Sequence, residues 1–152
     1  EKVVRNENTL DDHSLERLAV LAWNETGDAD LTRRAGSEFH RRLAYPVQAI
    51  RFGRDLTLLA LGGEVVVDYS IRARRDFPKE NLIVAGYCND VACYIPSLRV
   101  LREGGYEPGD SMIYYAQPGP FAENVEDRVL DAIRKVMNRV GARPLQPSSA
   151  AE

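Results

Sequence analysis

Leu56-Thr57-Leu58-Leu59-Ala60-Leu61-Gly62-Gly63-Glu64 and Leu82-Ile83-Val84-Ala85-Gly86-Tyr87-Cys88-Asn89-Asp90 decide the fold. Each is a short apolar run that stops at glycine and then presents a carboxylate, a phenol or an amide. Continuous apolar runs bounded by glycine predict strands buried on both faces, and polar groups just past strand ends are where α/β enzymes place their chemistry. Tyr94-Ile95-Pro96 and Gly104-Gly105-Tyr106-Glu107 repeat the polar half of the pattern.

Outward from these runs the chain reads as alternating strands and helices. Pro46 opens Val47-Gln48-Ala49-Ile50-Arg51-Phe52, whose alternation predicts a strand with one polar face. Gly53-Arg54-Asp55 is a short turn, so this strand and Leu56 to Leu61 form a β-hairpin. From Glu64, the spacing of Val66, Tyr69, Ile71 and Ala73 predicts a helix to about Arg75, closed by Pro78, although its β-branched run lowers helix propensity. Asn89 to Ile95 reads as a loop and Pro96 as the first residue of a short helix that Gly104-Gly105 ends. Ser111 to Tyr115 reads as a further β element. Beyond Gln117-Pro118-Gly119-Pro120, the residues Val125, Val129, Ile133, Val136, Met137 and Val140 make the clearest amphipathic helix.

The two ends carry weaker signals. Residues 1–8 lack periodicity and read as a flexible lead-in. Thr9 with Asp12 resembles a capping box for a helix carrying Leu15, Leu18, Ala19 and Ala22, and a polar second helix is expected from Asp30 to Arg42. Residues 144–152 are Pro, Ser and Ala rich and read as a disordered tail. The expected architecture is α/β: a small mixed β-sheet flanked by helices, one domain or subdomain over residues 9–143, itself part of a larger α/β hydrolase domain.

Composition narrows the function classes. A chain of 152 residues, 44% hydrophobic and 28% charged, has the make-up of one globular domain with a core. A net charge of −3 with interleaved signs argues against a nucleic-acid partner. Arg72, Arg74 and Arg75, followed by Asp76, read as a solvated helix end. The longest apolar run, Leu56 to Leu61, is far below the roughly 20 residues of a membrane span, so no transmembrane segment is expected. Cys88 and Cys93 are too few for a disulfide framework and wrongly spaced for a zinc knuckle; they read as small buried residues beside the site.

The polar residues supply half an active site. Glu64, after two glycines at a strand mouth, suits a metal ligand, a general base, or a charge stabilised at a helix N-terminus, and position alone favours the last. Asn89, Tyr94 and Tyr106 are hydrogen-bonding groups around the second glycine-ended strand; phenols there ligate metals or donate to an oxyanion, yet more often serve as half-buried packing groups. His13 and His40 lack the spacing of a metal-binding pair and read as surface residues. The chain has no Gly-x-Ser-x-Gly elbow, no phosphate-cradling glycine loop and no His-Glu-x-x-His.

Tyr45-Pro46-Val47-Gln48, Leu61-Gly62-Gly63-Glu64-Val65-Val66-Val67-Asp68-Tyr69, Gly86-Tyr87-Cys88-Asn89-Asp90, Tyr94-Ile95-Pro96-Ser97 and Gly105-Tyr106-Glu107 together resemble the later part of the neutral ceramidase catalytic domain. The likeness is greatest to the bacterial ceramidase-like branch and spans roughly Tyr45 to Val140. The family consists of zinc amidohydrolases that cleave ceramide to sphingosine and a fatty acid. The resemblance implies that Glu64 and Tyr94 are zinc ligands, that Tyr106 lines the pocket and stabilises the oxyanion, and that Asn89 plays a supporting role. It also implies an N-acyl lipid substrate and a secreted or periplasmic location. The histidine ligands and serine-bearing loop of the family belong to the earlier part of the domain, and nothing here matches their motifs. The expected function is therefore a portion of a zinc amidohydrolase, completed by a missing N-terminal half or by a second copy and inactive alone. A catalytically silent α/β binding module that keeps the fold without the metal is the alternative.

Overall fold

The computed structural model describes residues 2–4, 42–115, 117 and 120–145. Its centre is the pair of apolar runs. Strands β3 (Val47–Phe52) and β4 (Leu56–Leu61) form an antiparallel hairpin in which Val47 faces Leu61 and Phe52 faces Leu56. Strand β6 (Leu82–Ala85) joins the other edge of β4 in parallel, with Thr57 beside Leu82 and Ala60 beside Ala85. The result is a small mixed sheet of order β3-β4-β6, flanked by helices, and the class is α/β. As the middle strand, β4 has both edges hydrogen-bonded, and Leu59 and Leu61 are fully buried.

The two faces of this sheet differ. One carries Val47, Ala49, Leu59, Leu61 and Val84 and packs in one core with Val125, Val129, Ile133 and Met137 of helix α3 (Val125–Arg139). The polar members of this face are satisfied: Thr57 Oγ1 donates to Glu80 Oε2 at 3.2 Å, and Arg51 reaches both Glu80 and the Val140 carbonyl. The opposite face carries the register row Ile50, Leu58 and Ile83, in which Ile50 and Ile83 remain 45% and 48% exposed.

Past β4 the structure departs from the helix expected at Glu64. Glu64–Val65 is a two-residue strand, β5, paired in parallel with β7 (Tyr94–Ile95) inside the segment expected to be a loop. Gly63, at φ +65°, turns the chain so that its N–H reaches the Asp90 carbonyl at 2.6 Å, and the Glu64 N–H then reaches the Cys93 carbonyl at 3.0 Å. The run Val65-Val66-Val67 suits this extended path better than a helix. Helix α1 begins only at Asp68 and runs to Asp76.

Helix α2 (Leu98–Glu103) starts two residues later than expected, because Ser97 and not Pro96 caps it by accepting the Val100 N–H. The element expected as a strand over Ser111 to Tyr115 is a 3-10 helix, Asp110–Tyr115. Turn chemistry overrides its β-forming residues there: Met112 N–H bonds the Gly109 carbonyl, and the Ser111 hydroxyl bonds the Glu107 carbonyl.

Near the N-terminus, β1 (Lys2–Val4) pairs antiparallel with β2 (Arg42–Ala44), which corrects both the loose lead-in at these residues and the helix drawn through Arg42. A three-residue strand leaves too little periodicity to be read from sequence. At the other end, the Leu145 N–H bonds the Asp76 carbonyl at 2.8 Å and ties this residue to the end of α1. The remaining expectations for residues 5–41, with His13 and His40, and for residues 146–152 lie outside the described residues. Among the described residues no helix is long and apolar enough to cross a membrane.

Candidate functional site

The glycine pair before Glu64 is dictated by close approach. A methyl group at Gly62 would sit 2.8 Å from Pro46 Cγ, and one at Gly63 2.7 Å from the Cys93 carbonyl oxygen. With no side chains at these positions, β5 lies against both the hairpin and β7. Glu64 and Tyr94 become direct register partners on neighbouring strands.

The β5 and β7 strands are short, and the elements that follow them hold them together. Asp68 at the start of α1 accepts hydrogen bonds from the Ser97 hydroxyl and from Arg99 of α2. The buried Tyr69 donates its hydroxyl to the Pro96 carbonyl at 2.7 Å, and the Leu98 N–H is capped by Glu126 of α3 at 2.8 Å. Burial raises the Asp68 carboxyl, but the Ser97 and Arg99 hydrogen bonds outweigh it and hold the group below the usual carboxylate range.

Phenols surround the Glu64 carboxylate. Tyr115, the last residue of the 3-10 helix, donates its hydroxyl to Glu64 Oε2 at 3.3 Å. The Tyr87 and Tyr94 hydroxyls also stabilise the charge of this carboxylate. The rings brace one another: Tyr94 meets Tyr106 edge-on with centroids 5.9 Å apart and Tyr115 at 6.4 Å, and Tyr106 in turn touches Tyr114. Burial pushes the Glu64 carboxyl up, but the hydrogen bonds from Tyr87, Tyr94 and Tyr115 more than offset it, so its pKa is lowered. Conversely, the hydrogen bond to Glu64 lifts Tyr87 to about 12 and raises Tyr94 as well; burial, followed by the Glu64 charge, raises Tyr115. At neutral pH the arrangement is one carboxylate held by phenols that keep their protons.

Of the residues singled out from sequence, Glu64 and Tyr94 therefore stand together. Tyr106 joins them through the Tyr94 ring and keeps half of its own surface exposed. Asn89 stands apart from the carboxylate: its amide donates to Gln48 Oε1 at 3.2 Å, bracing the loop against the hairpin. Cys93 is buried, and its carbonyl receives the Glu64 N–H, whereas Cys88 is only half-buried; the two are not joined in a disulfide. Sequence reasoning missed Tyr87 and Tyr115. Tyr87 directly follows Gly86, the same strand-end signal that marked Glu64, and Tyr115 was concealed by the strand expected there.

Zinc takes three or four nitrogen, sulfur or oxygen ligands. Glu64 and Tyr94 fit two such positions as converging oxygen donors. Among the described residues no group of three His, Cys, Asp or Glu side chains gathers to complete a set. No protein-family model, curated protein or solved structure matches this chain.

Proposed function

We propose that this chain contributes Glu64 and Tyr94 as oxygen ligands to the metal centre of a zinc amidohydrolase resembling neutral ceramidase, acting on an N-acyl amide such as ceramide. The observation that carries this reading is the register pairing of Glu64 with Tyr94, which puts a carboxylate and a phenol side by side at the end of a glycine-bounded strand. Zinc bound there would polarise the amide carbonyl and bring the pKa of a bound water to about 7.

The chain's own residues would supply the rest of the local chemistry. Glu64, held ionised by its phenol donors, contributes the negative charge a cation needs. Tyr94, beside Glu64 in the register, would offer its phenol oxygen as the second ligand. Tyr106, half exposed and packed edge-on against Tyr94, offers a hydroxyl to the oxyanion of a tetrahedral intermediate. Asn89 supports the loop from its bond to Gln48. The remaining ligands would come from His13 and His40, an N-terminal half of the domain, or a second copy.

One observation favours a second reading. The Glu64 carboxylate already accepts a hydrogen bond from the Tyr115 phenol, which is how a catalytically silent binding module would hold this charge without metal. Elemental analysis separates the two. The purified chain is stripped with chelator, reloaded with zinc, and compared with Glu64→Ala. With ligands supplied by this chain or a second copy, the enzyme reading expects about one zinc per chain or per dimer, lost in the variant; zinc retained equally by Glu64→Ala overturns it, and a parent chain that retains none is half a site or a silent module.

A further inference from the structure

We infer that Tyr87 and Tyr115 are positioning residues that clamp the Glu64 carboxylate from two separate segments of the chain and set its orientation before any ligand arrives. The inference rests on the reading of Glu64 as the site's carboxylate, and goes beyond it in naming what holds that carboxylate.

Tyr115 makes the direct contact, and Tyr87 adds a strained backbone. The Tyr87 φ of +56° places a bulky side chain in the left-handed region, where it is strained. Core packing does not offset the strain, because the residue is 59% exposed. What the conformation achieves is local: the Tyr87 N–H bonds the Gly63 carbonyl at 2.9 Å and the next N–H bonds the Leu61 carbonyl at 3.0 Å, which holds Tyr87 against the residue before Glu64. Strain retained on an exposed ring that serves a neighbouring carboxylate marks a functional constraint rather than a packing one.

Tyr115 reaches the same carboxylate from a rigid mount. The Ser111 N–H bonds the Tyr106 carbonyl at 2.8 Å, the Gln117 N–H bonds the Met112 carbonyl at 2.9 Å, and the Gln117 side chain bonds the Ala92 carbonyl at 3.0 Å. Met112 beneath is buried. Ring contact with Tyr94 fixes the remaining freedom of Tyr115, whose hydroxyl lies 3.3 Å from Glu64 Oε2. A glutamate has several rotatable bonds, and a half-buried one without such donors samples several orientations. Partners of this kind around a ligating carboxylate typically change metal affinity 10- to 100-fold.

The test uses the metal-free chain. Three-bond couplings and side-chain relaxation of Glu64 are measured by NMR in the parent and in Tyr87→Phe, Tyr115→Phe and the double variant, which keep the rings and remove only the hydroxyls. The parent is expected to show a single Glu64 rotamer and the double variant an average over several, with the amide signals of β4, β6 and α3 unmoved. Tyr87→Gly relieves the backbone strain, so it should melt no lower than the parent while loosening Glu64 as much as Tyr87→Phe, a combination that a structural tyrosine would not give. The inference is overturned if Glu64 is already averaged in the parent, if it stays in one rotamer in the double variant, or if Tyr87→Gly strongly destabilises the fold. Zinc affinity is measured in parallel, and zinc held equally by Glu64→Ala defeats the metal reading while the couplings still decide the clamp.

Discussion

Gly63→Ala tests how the site is built. At φ +65° an alanine pays roughly 1–2 kcal/mol for left-handed backbone. Its methyl group would also stand 2.7 Å from the Cys93 carbonyl oxygen and 2.9 Å from Ile95 Cγ1, closer than real contacts allow. Relief requires β5 and β7 to part, weakening the Gly63 to Asp90 and Glu64 to Cys93 hydrogen bonds, each worth about 0.5–1.5 kcal/mol. The sum is a loss of about 2–5 kcal/mol, which for a urea slope of about 2 kcal/mol/M moves the unfolding midpoint down by about 1–2.5 M. Gly53→Ala is the matched control, since Gly53 has φ +60° but nothing within 4 Å of an added methyl. It should lose only the backbone part, about 1–2 kcal/mol. Urea unfolding of both variants measures the difference directly. Equal losses at the two positions would refute the close approach of β5 to β7 that brings Glu64 beside Tyr94.

Two further outcomes follow from the same geometry. The lowered Glu64 carboxyl contributes stability above the ordinary carboxyl pKa that is lost as pH falls through its folded value. The raised Tyr87 phenol contributes stability below about pH 10 that is lost as pH rises through about 12. Glu64→Gln should therefore flatten the acid limb of a stability–pH curve and bring the alkaline tyrosinate absorbance transition to lower pH; an unchanged tyrosinate transition would contradict the phenol–carboxylate bonding. On the sheet, Leu59→Ala, under α3, should cost about 2–5 kcal/mol, whereas Ile50→Ala, on the open face, should cost no more than about 1 kcal/mol. Thermal or urea unfolding of the two variants checks this, and similar losses would mean that both faces are covered.

How legible these features were depended on how far each one is determined by its own residues. The hairpin and β6 were readable because Leu56 to Leu61 and Leu82 to Ala85 carry their own apolar pattern and glycine ends, and α3 because its stripe repeats over Val125–Arg139. Strands β5 and β7 are two residues each and owe their existence to backbone partners across the ladder, so no periodicity announced them. The 3-10 helix was misread because Met112, Ile113, Tyr114 and Tyr115 favour strands in isolation, while Gly109 and Ser111 supply the bonds that coil them. Within the site, Glu64 and Tyr94 stood out at glycine-ended segments. Tyr87 follows the Gly86 strand end, but its left-handed backbone does not show in residue types, and Tyr115 depends on the true course of 110–115.

The bonds from Asp68 to Ser97 and Arg99 have a mechanical consequence. Glu64 and Tyr94 each sit a few residues ahead of a helix, and the starts of those two helices are riveted together. A ladder of two residue pairs is too short to set a stiff spacing, so the gap between carboxylate and phenol behaves like the jaw of a pair of tongs whose pivot is the α1–α2 junction. The stiffness of the jaw then belongs to the pivot, and a substitution there would change how wide the tips open without touching either tip.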